Sequence, residues 1–390
     1  MKKRQQGDRE LAVKRYLQGE TISAIAKSLG RSRPWAYKWV ARHEASRAQE
    51  DWYTDQARAP HSNPRQLPRE IVEAVKLARL HLYNQGLFCG AQAIAWELAE
   101  IGLSAIPSLR SINRVLSREE LTHRRTGRYE PKGKKYPKLI ANGANEVHQT
   151  DYVGPCYLRG PVRFYSLNSV DLGTGRCAVT AVLSKAGQET VDAIWSNWRR
   201  LGLPDHQQVD NEAVFYGSRR YPRGMGILIR LCLANGIEPW FIPPAEPWRN
   251  GVVEKFNDHY RQGFLRREEV KGAAELGAAS LAFEQKHNSR YRYTKLAGRT
   301  PLAALQQSKR QLRFPGEEAP RYPLAKPESG YYHLVRFIRS DALLDMFGER
   351  FLLPPETVYE YAVATVDVAR ETLTVSIDEL IVAEFAYPPR

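Results

Sequence analysis

The stretch PPAEPWRNGVVEKFN, residues 243–257, leads from a proline-rich loop into an amphipathic helix that carries Glu254 near its start. The apolar stripe of this helix consists of Val253, Phe256, Tyr260 and Phe264. The polar stripe consists of Asn250, Glu254, Asn257, Asp258 and Arg261. Apolar residues at this spacing predict a helix packed on a core by one face. A lone glutamate at a helix start does no more than favour the positive end of the helix dipole, so its meaning depends on partners.

The residues before this helix alternate between strand and helix patterns. Three strand-like segments come first, EVHQTDYVGPCYL, VRFYSLNSVDLGT and RCAVTAVLS. The helical segment QETVDAIWSNWRRLG, the strand HQQVDN, the helical segment GILIRLCLANG and the strand EPWFIP follow. Three successive antiparallel strands and then alternating helices and strands predict an α/β sheet with helices on its faces.

Two further carboxylates stand where such a sheet would bring them to Glu254. Asp151 lies in the first strand and Asp210 at the end of the fourth, so both approach one edge of the sheet. Three carboxylates that converge repel one another, and a divalent metal ion relieves that repulsion. Hard oxygen ligands suit Mg²⁺ or Mn²⁺, and two such ions can support an in-line displacement at phosphorus. The alternative is three unrelated residues: a turn aspartate, a strand-end aspartate and a glutamate at a helix start.

The segments HQTDYVG, VDNEAVF and EPWRNGVVEKFN resemble the three catalytic motifs of the integrase-like Asp-Asp-Glu transposases of bacterial insertion sequences. These enzymes are related to retroviral integrases and have an RNase H-like core. The resemblance covers residues 145–305 and implies that Asp151, Asp210 and Glu254 are catalytic and hold two metal ions. It also marks Arg249, Asn250 and Arg261 as candidates for contact with a DNA end.

The sequence departs from that family in several places. Asp210 and Glu254 are separated by 43 residues, more than is typical, and GSRRYPRG at 217–224 looks like the inserted loop. Glu212 stands in place of the glycine that is common after Asp-Asn, and Asp258 in place of a frequent lysine. The zinc-binding His/Cys domain of the retroviral relatives has no counterpart here.

Residues 1–50 have the pattern of a helix-turn-helix domain. Thr21 and Ser32 are predicted to cap the second and third helices, and Gly30 to occupy the turn between them. The basic residues expected to contact DNA from the third helix are Arg31, Arg33, Lys38 and Arg42. Trp35 and Trp39 share a face that is expected to pack inward. A plain helical hairpin is the alternative interpretation.

The remaining boundaries follow from composition. Prolines punctuate residues 51–68, which are predicted to be a linker. Residues 69–122 predict a second three-helix DNA-binding unit, in which Arg110 and Arg114 either grip phosphates or form a solvated face. Residues 123–144 form a basic linker, which could lie along a phosphate backbone.

The C-terminal part completes the predicted organisation. Residues 306–330 are proline-rich and charged and are expected to be a linker. The strongly alternating residues 331–390 predict a small β-barrel or sandwich. The fold class is therefore a multidomain chain with N-terminal all-α helix-turn-helix units, a central α/β RNase H-like core and a C-terminal all-β barrel.

Composition limits the function classes. The 390 residues carry 58 Lys and Arg against 43 Asp and Glu, a formal charge of +15 that favours a polyanionic partner such as double-stranded DNA. The four cysteines form no CxxC pair, so no disulfide framework or zinc knuckle is indicated. There is no GxxxxGK[ST] loop for ATP, so any energy-dependent step would need a partner ATPase. No signal peptide or membrane span is indicated, so a cytoplasmic, nucleoid-associated protein is expected.

Several other chemically attractive residues have simpler explanations. His148 is expected to be structural, and Asp171 to begin a turn between strands. Trp195 and Trp198 are expected in the core. Glu246 fits the helical stripe less well than Glu254 as a third ligand.

The leading hypothesis is a DNA transposase that binds element ends, cleaves phosphodiester bonds and joins the 3′-hydroxyl to target DNA. Pairing of two ends implies a dimer or a larger assembly. A DNA-binding regulator with a catalytically silent core is the alternative. An RNase H-like nuclease without strand transfer is a third hypothesis.

Overall fold

A computed structural model describes residues 2–46, 52–55, 67–122, 135–157, 163–218 and 220–390. The chain divides into two compact units, Met1–Pro68 and Arg69–Arg390. Most of the predicted linker at 51–68 and of the basic linker at 123–144 lies outside the described residues.

The first unit has the predicted helix-turn-helix arrangement. Its described residues form α1 (Lys2–Leu17), α2 (Ile22–Ser28) and α3 (Arg33–Ala45). Thr21 accepts a hydrogen bond from the Ala24 N–H at 3.4 Å, and Ser32 accepts one from the Trp35 N–H at 3.4 Å. Gly30 has a φ of 62°, a left-handed backbone conformation that glycine adopts without steric cost. The caps and the turn residue agree with the sequence prediction.

The second unit begins with α4 (Arg69–Asn84), α5 (Ala91–Glu100) and α6 (Leu109–Arg118). These helices pack against the α/β core that follows them. The ring of Phe88 lies edge-on to His259 at 4.5 Å and to Tyr291 at 5.0 Å. Arg292 of the core forms an ion pair with Glu100 at 2.8 Å. The second helical group therefore shares one compact unit with the core.

The central part of the chain has the mixed α/β architecture that the sequence predicts. Its strands are β1 (Val147–Tyr157), β2 (Arg163–Asp171), β3 (Cys177–Val182), β4 (His206–Val209) and β5 (Glu238–Phe241). Its helices are α7 (Gly187–Leu201), α8 (Ala213–Tyr216), α9 (Ile227–Ala234), α10 (Gly251–Tyr260), α11 (Ala273–Arg290) and α12 (Pro301–Gln306). Strands β1, β2 and β3 are antiparallel neighbours, while β4 pairs in parallel with β1 and with β5.

Hydrophobic clusters cover the two faces of this sheet. One includes α7 and α9, with Trp198 and Leu228 fully buried, and the other includes the apolar stripe of α10. Trp195 belongs to the first cluster, so the expectation that it and Trp198 are core residues is confirmed. Asp171 accepts hydrogen bonds from the N–H groups of Gly173 and Thr174, which confirms its turn role.

The C-terminal residues form the expected run of antiparallel strands. They are β6 (Tyr331–Phe337), β7 (Leu343–Met346), β8 (Glu349–Leu352), β9 (Tyr361–Asp367), β10 (Thr372–Ile377) and β11 (Leu380–Ala386). Among the described residues the main sheet has the order β11-β10-β9-β6-β5-β4-β1-β2-β3.

One correction concerns the predicted separate barrel. Strand β6 pairs in parallel with β5, through Trp240 opposite His333 and Phe241 opposite Leu334. The C-terminal strands therefore extend the sheet of the core. The physical reason is that β5 would otherwise present unpaired backbone groups at a sheet edge.

Residues 306–330, predicted to be a linker, form an extended strap along the core. Arg313 makes a β-bridge with Leu203, and the indole N–H of Trp195 donates to the Gly316 carbonyl at 3.0 Å. The strap ends where β6 begins. Among the described helices, none is long and apolar enough to cross a membrane.

Candidate active site

Asp151 lies in β1, and Asp210 directly follows the neighbouring parallel strand β4. The β1–β4 register pairs Val147 with His206 and Gln149 with Gln208. The same offset continued along both strands sets Asp151 beside Asp210, and adjacent strands lie about 4.8 Å apart. The Asp151 carboxylate faces α10, where Asn257 donates a hydrogen bond to it. The backbone N–H of Glu212 donates to Asp210 at 3.0 Å and orients that carboxylate.

Glu254 is positioned by an unusual cap on α10. The side-chain oxygen of Gln149 accepts hydrogen bonds from the backbone N–H groups of Val252 and Val253, at 3.0 and 3.1 Å. These N–H groups have no partner within the helix, because they belong to its first turn. The cap comes from the strand that carries Asp151, so it ties the turn containing Glu254 directly to that strand.

A second glutamine holds the loop before α10. Gln208 donates to the Arg249 carbonyl at 2.9 Å and to the side-chain oxygen of Asn250 at 3.3 Å. Asn250 in turn donates to the Thr150 carbonyl at 3.2 Å. The helix is therefore anchored to both strands that carry the aspartates.

Asn257, one turn after Glu254, orients Asp151. Its amide nitrogen donates to Asp151 at 2.7 Å, and its oxygen accepts a hydrogen bond from Asn168 of β2 at 2.8 Å. Asn257 and Asn168 are both buried. This chain of hydrogen bonds holds the Asp151 carboxylate in a fixed orientation.

The carboxylates lie in an environment that disfavours their charged forms. Burial raises the pKa of Asp151 to about 7, and the charges of Asp210 and Glu254 act in the same direction. Burial also raises the pKa of Asp210 and of Glu254. A divalent cation would relieve this penalty, because it favours the ionised carboxylates.

The donor set suits Mg²⁺ or Mn²⁺, since both ions prefer carboxylate oxygens. In the described part of the chain, no three His, Cys, Asp or Glu side chains are grouped closely enough to hold one ion as placed. Repulsion between carboxylates without a cation favours such separation. Asp151, Asp210 and Glu254 are the residues that would hold the ions, after a rotation of the half-buried Glu254 side chain.

An open cavity of about 420 Å³ adjoins Asp151 and Glu254. Its lining also includes Asn257, Lys255 and Arg261. Arg261 lies 3.8 Å from Asp258, so the acidic residue that the sequence has here partly offsets the nearby cations. The cavity thus combines acidic ligands with basic groups suited to phosphate.

The predicted DNA-contacting residues of α3 differ in availability. Arg33 and Lys38 are exposed. Arg31 forms an ion pair with Asp8 at 2.7 Å, and the Arg42 guanidinium lies 5.0 Å from the ring of the buried Trp39. The Lys38 ammonium also lies 5.6 Å from the Trp39 ring, but Arg33 and Lys38 are the two exposed members of this set. On α6 of the second unit, Arg110 and Arg114 are exposed.

The predictions for Arg249 and Asn250 need correction. Asn250 is only 2 % exposed and its amide forms hydrogen bonds with β1 and β4, so it anchors the start of α10 and presents no exposed amide. Arg249 donates to Glu246 at 2.9 Å and to the hydroxyl of Tyr361 at 2.9 Å. Its guanidinium also stacks 3.9 Å from the ring of Tyr136. Both residues hold the loop before α10 because the surrounding strands offer them internal partners.

Two residues set aside in the sequence, His148 and Glu246, have internal partners. His148 is fully buried and lies 3.0 Å from the side-chain oxygen of Asn145, and burial lowers its pKa to about 4. Glu246 is engaged by Arg249 and Tyr361. Neither is placed to act on the carboxylates of the site.

Sequence reasoning missed the two anchoring glutamines. A usable signal was present, because Gln149 and Gln208 each stand two residues before an aspartate, as QTD and QVD. Residues two apart on a strand share a face. The repeated spacing therefore placed both glutamines beside the aspartates.

Two parts of the chain match known protein families. Residues 3–51 match the family described as Homeodomain-like domain, and residues 235–301, which include α10, match the family described as Integrase core domain. The chain therefore contains an integrase core domain preceded by a homeodomain-like helix-turn-helix domain. A search of curated proteins found no match.

Comparison with solved structures returns retroviral integrases. The HTLV-2 integrase catalytic core domain in complex with magnesium is 18% identical, covering 41% of this chain and 96% of that chain, with a TM-score of 0.32. A simian T-cell lymphotropic virus intasome chain is 16% identical over 80% of this chain and 99% of its own, with a TM-score of 0.38. The BIV integrase core is 17% identical over 42% of this chain and 95% of its own, with a TM-score of 0.32.

Proposed function

We propose that this chain, with its integrase core and helix-turn-helix domains, is a DNA transposase that breaks and rejoins phosphodiester bonds with Asp151, Asp210 and Glu254. The observation that carries the proposal is the anchoring of α10 to both aspartate strands. Gln149 caps the helix from β1, and Gln208 holds the preceding loop from β4. This arrangement supports a role for the three carboxylates as one site.

Asp151, Asp210 and Glu254 would hold two Mg²⁺ or Mn²⁺ ions. When bound, such ions lower the pKa of water and offset charge on the phosphate oxygens of an in-line displacement. Asn257 keeps Asp151 oriented, and the Glu212 N–H does the same for Asp210. Arg261 and Lys255, which line the cavity, are suited to neighbouring phosphates of the DNA strand.

DNA would be bound by both helical groups. The exposed Arg33 and Lys38 of α3 suit contacts to an element end, and Arg110 and Arg114 of α6 suit additional phosphates. Transposition pairs two DNA ends, so the active assembly would contain at least two copies of the chain. Each copy would supply one set of carboxylates.

The test is a joining assay with the full-length protein. Labelled duplexes carrying candidate element ends from the DNA that flanks the gene are incubated with Mg²⁺ or Mn²⁺, and joined products are separated on denaturing gels. We expect metal-dependent joining that Asp210→Asn and Glu254→Gln each reduce to background without weakening DNA binding. Glu356→Gln, which alters an exposed carboxylate in the turn before β9, is the matched control and should keep full activity.

The alternatives give different results in the same assay. Tight binding of the correct ends with no cleavage in either metal would indicate a regulator with a silent core. Cleavage without any joined product would indicate a nuclease. Either result would refute the proposed transposase activity.

A further inference from the structure

Glu212 adds a fourth carboxylate beside the candidate site. It stands two residues after Asp210, where the transposase motif commonly has glycine, and it directly precedes the short helix α8. Its charge acts on both Asp151 and Asp210. A carboxylate close to a metal site either binds an ion, repels the DNA phosphate or is held by a nearby cation.

The structure supplies that cation. Lys185, in the loop between β3 and α7, forms an ion pair with the Glu212 carboxylate. Its ammonium also lies 4.6 Å from the ring centre of Tyr152 and 4.9 Å from that of Tyr165. Tyr152 follows Asp151 directly in β1. Cation–π contacts with two rings and an ion pair hold the lysine head group in one place.

We propose that Lys185 is a positioning residue that holds the Glu212 carboxylate out of the metal-binding set formed by Asp151, Asp210 and Glu254. This inference rests on the proposed function. Both partners are largely covered, with 24% and 31% of their side chains exposed, so solvent screens the pair less than a surface pair. The backbone N–H of Glu212 can then orient Asp210. The Glu212 side chain, paired with Lys185, would stay away from the bound ions.

The proposal predicts opposite effects for the two partners. In Lys185→Met the freed Glu212 adds uncompensated negative charge, so Mn²⁺ should bind about tenfold more tightly while joining becomes about tenfold slower at saturating metal. In Glu212→Gln the unpaired lysine adds positive charge, so Mn²⁺ should bind about tenfold more weakly. The double variant Lys185→Met/Glu212→Gln should return to near the wild-type affinity and rate.

The measurements are calorimetric titration of Mn²⁺ into full-length protein without DNA, and the joining assay. Lys185→Arg keeps the charge and should behave like wild type. The matched control is Arg223→Met, which breaks an ion pair with Glu349 of similar exposure, 24% and 26%, outside the candidate site. It should leave Mn²⁺ affinity unchanged.

The outcomes separate the inference from the function on which it rests. Single variants that shift Mn²⁺ affinity in the same direction, or not at all, would overturn the positioning role while wild-type joining still supported the transposase. Failure of the double variant to restore affinity would also overturn it. If Lys185→Met fails to fold, Glu212→Gln and the double variant still decide the question. No Mn²⁺ binding by the wild type would refute the metal site and this inference together.

Discussion

Replacing Gln149 with alanine tests how α10 is positioned. Gln149 is 4% exposed, and its oxygen is the acceptor for the N–H groups of Val252 and Val253. Alanine removes both hydrogen bonds without touching any carboxylate of the candidate site. We expect the first turn of α10 to open more often and Glu254, which lies in that turn, to lose its fixed position.

The magnitude follows from what each N–H group can do after the change. Val252 is exposed, so its N–H can bond to water, whereas Val253 is fully buried and its N–H would be left unsatisfied. An unsatisfied buried N–H costs about 1–3 kcal/mol. A loss of about 2 kcal/mol in the free energy of local opening corresponds to about 30-fold faster amide exchange.

Hydrogen–deuterium exchange read by mass spectrometry is the assay, because it reports local opening in a chain with more than one unit. The peptide covering residues 248–260 should exchange faster in Gln149→Ala, and strand joining should fall with it. Gln307→Ala, at an exposed position at the end of α12, is the control and should change neither. Unchanged exchange in residues 248–260 would refute the capping role of Gln149.

Further predictions concern the site and the DNA-binding helix. Asn257→Ala should destabilise the protein by about 1–3 kcal/mol, measured by urea unfolding, because it leaves the buried Asn168 amide without its acceptor. Burial raises the pKa of Asp151 to about 7, so Mn²⁺ affinity should rise between about pH 6 and pH 8. Without divalent ions the folded state holds this proton more tightly than the unfolded chain, so stability should fall as pH rises from about 4 to 7, and Asp151→Asn should remove that part of the slope. Arg33→Ala and Lys38→Ala should each weaken DNA binding and reduce the salt dependence by about one counterion, measured by fluorescence anisotropy.

Much of the fold could be predicted because it depends on local signals. The caps Thr21 and Ser32 mark helix starts by a short-range hydrogen bond that any similar sequence would make. The apolar stripe of α10 follows from helical spacing alone, and Val253 and Tyr260 are indeed fully buried. The alternation of strands and helices likewise indicated the mixed α/β core.

The features that could not be predicted depend on pairings between distant parts of the chain. The pairing of β6 with β5 brings His333 opposite Trp240. No local sequence pattern predicts which sheet edge a C-terminal strand will join. The sequence predicted Asn250 as a DNA contact. In the structure its side-chain amide donates a hydrogen bond to the carbonyl of Thr150, which lies 100 residues earlier in the chain. The ion pair between Lys185 and Glu212 likewise joins residues from separate parts of the chain, so no local pattern predicts it.

The central claim is that Asp151, Asp210 and Glu254 hold the divalent ions of a strand-transfer site. The most direct measurement is anomalous scattering from crystals of the full-length protein soaked in Mn²⁺. The account predicts two peaks about 3.5–4 Å apart between these three carboxylates, with Glu254 rotated toward the aspartates. Strong Mn²⁺ peaks elsewhere, with none between the three carboxylates, would contradict it.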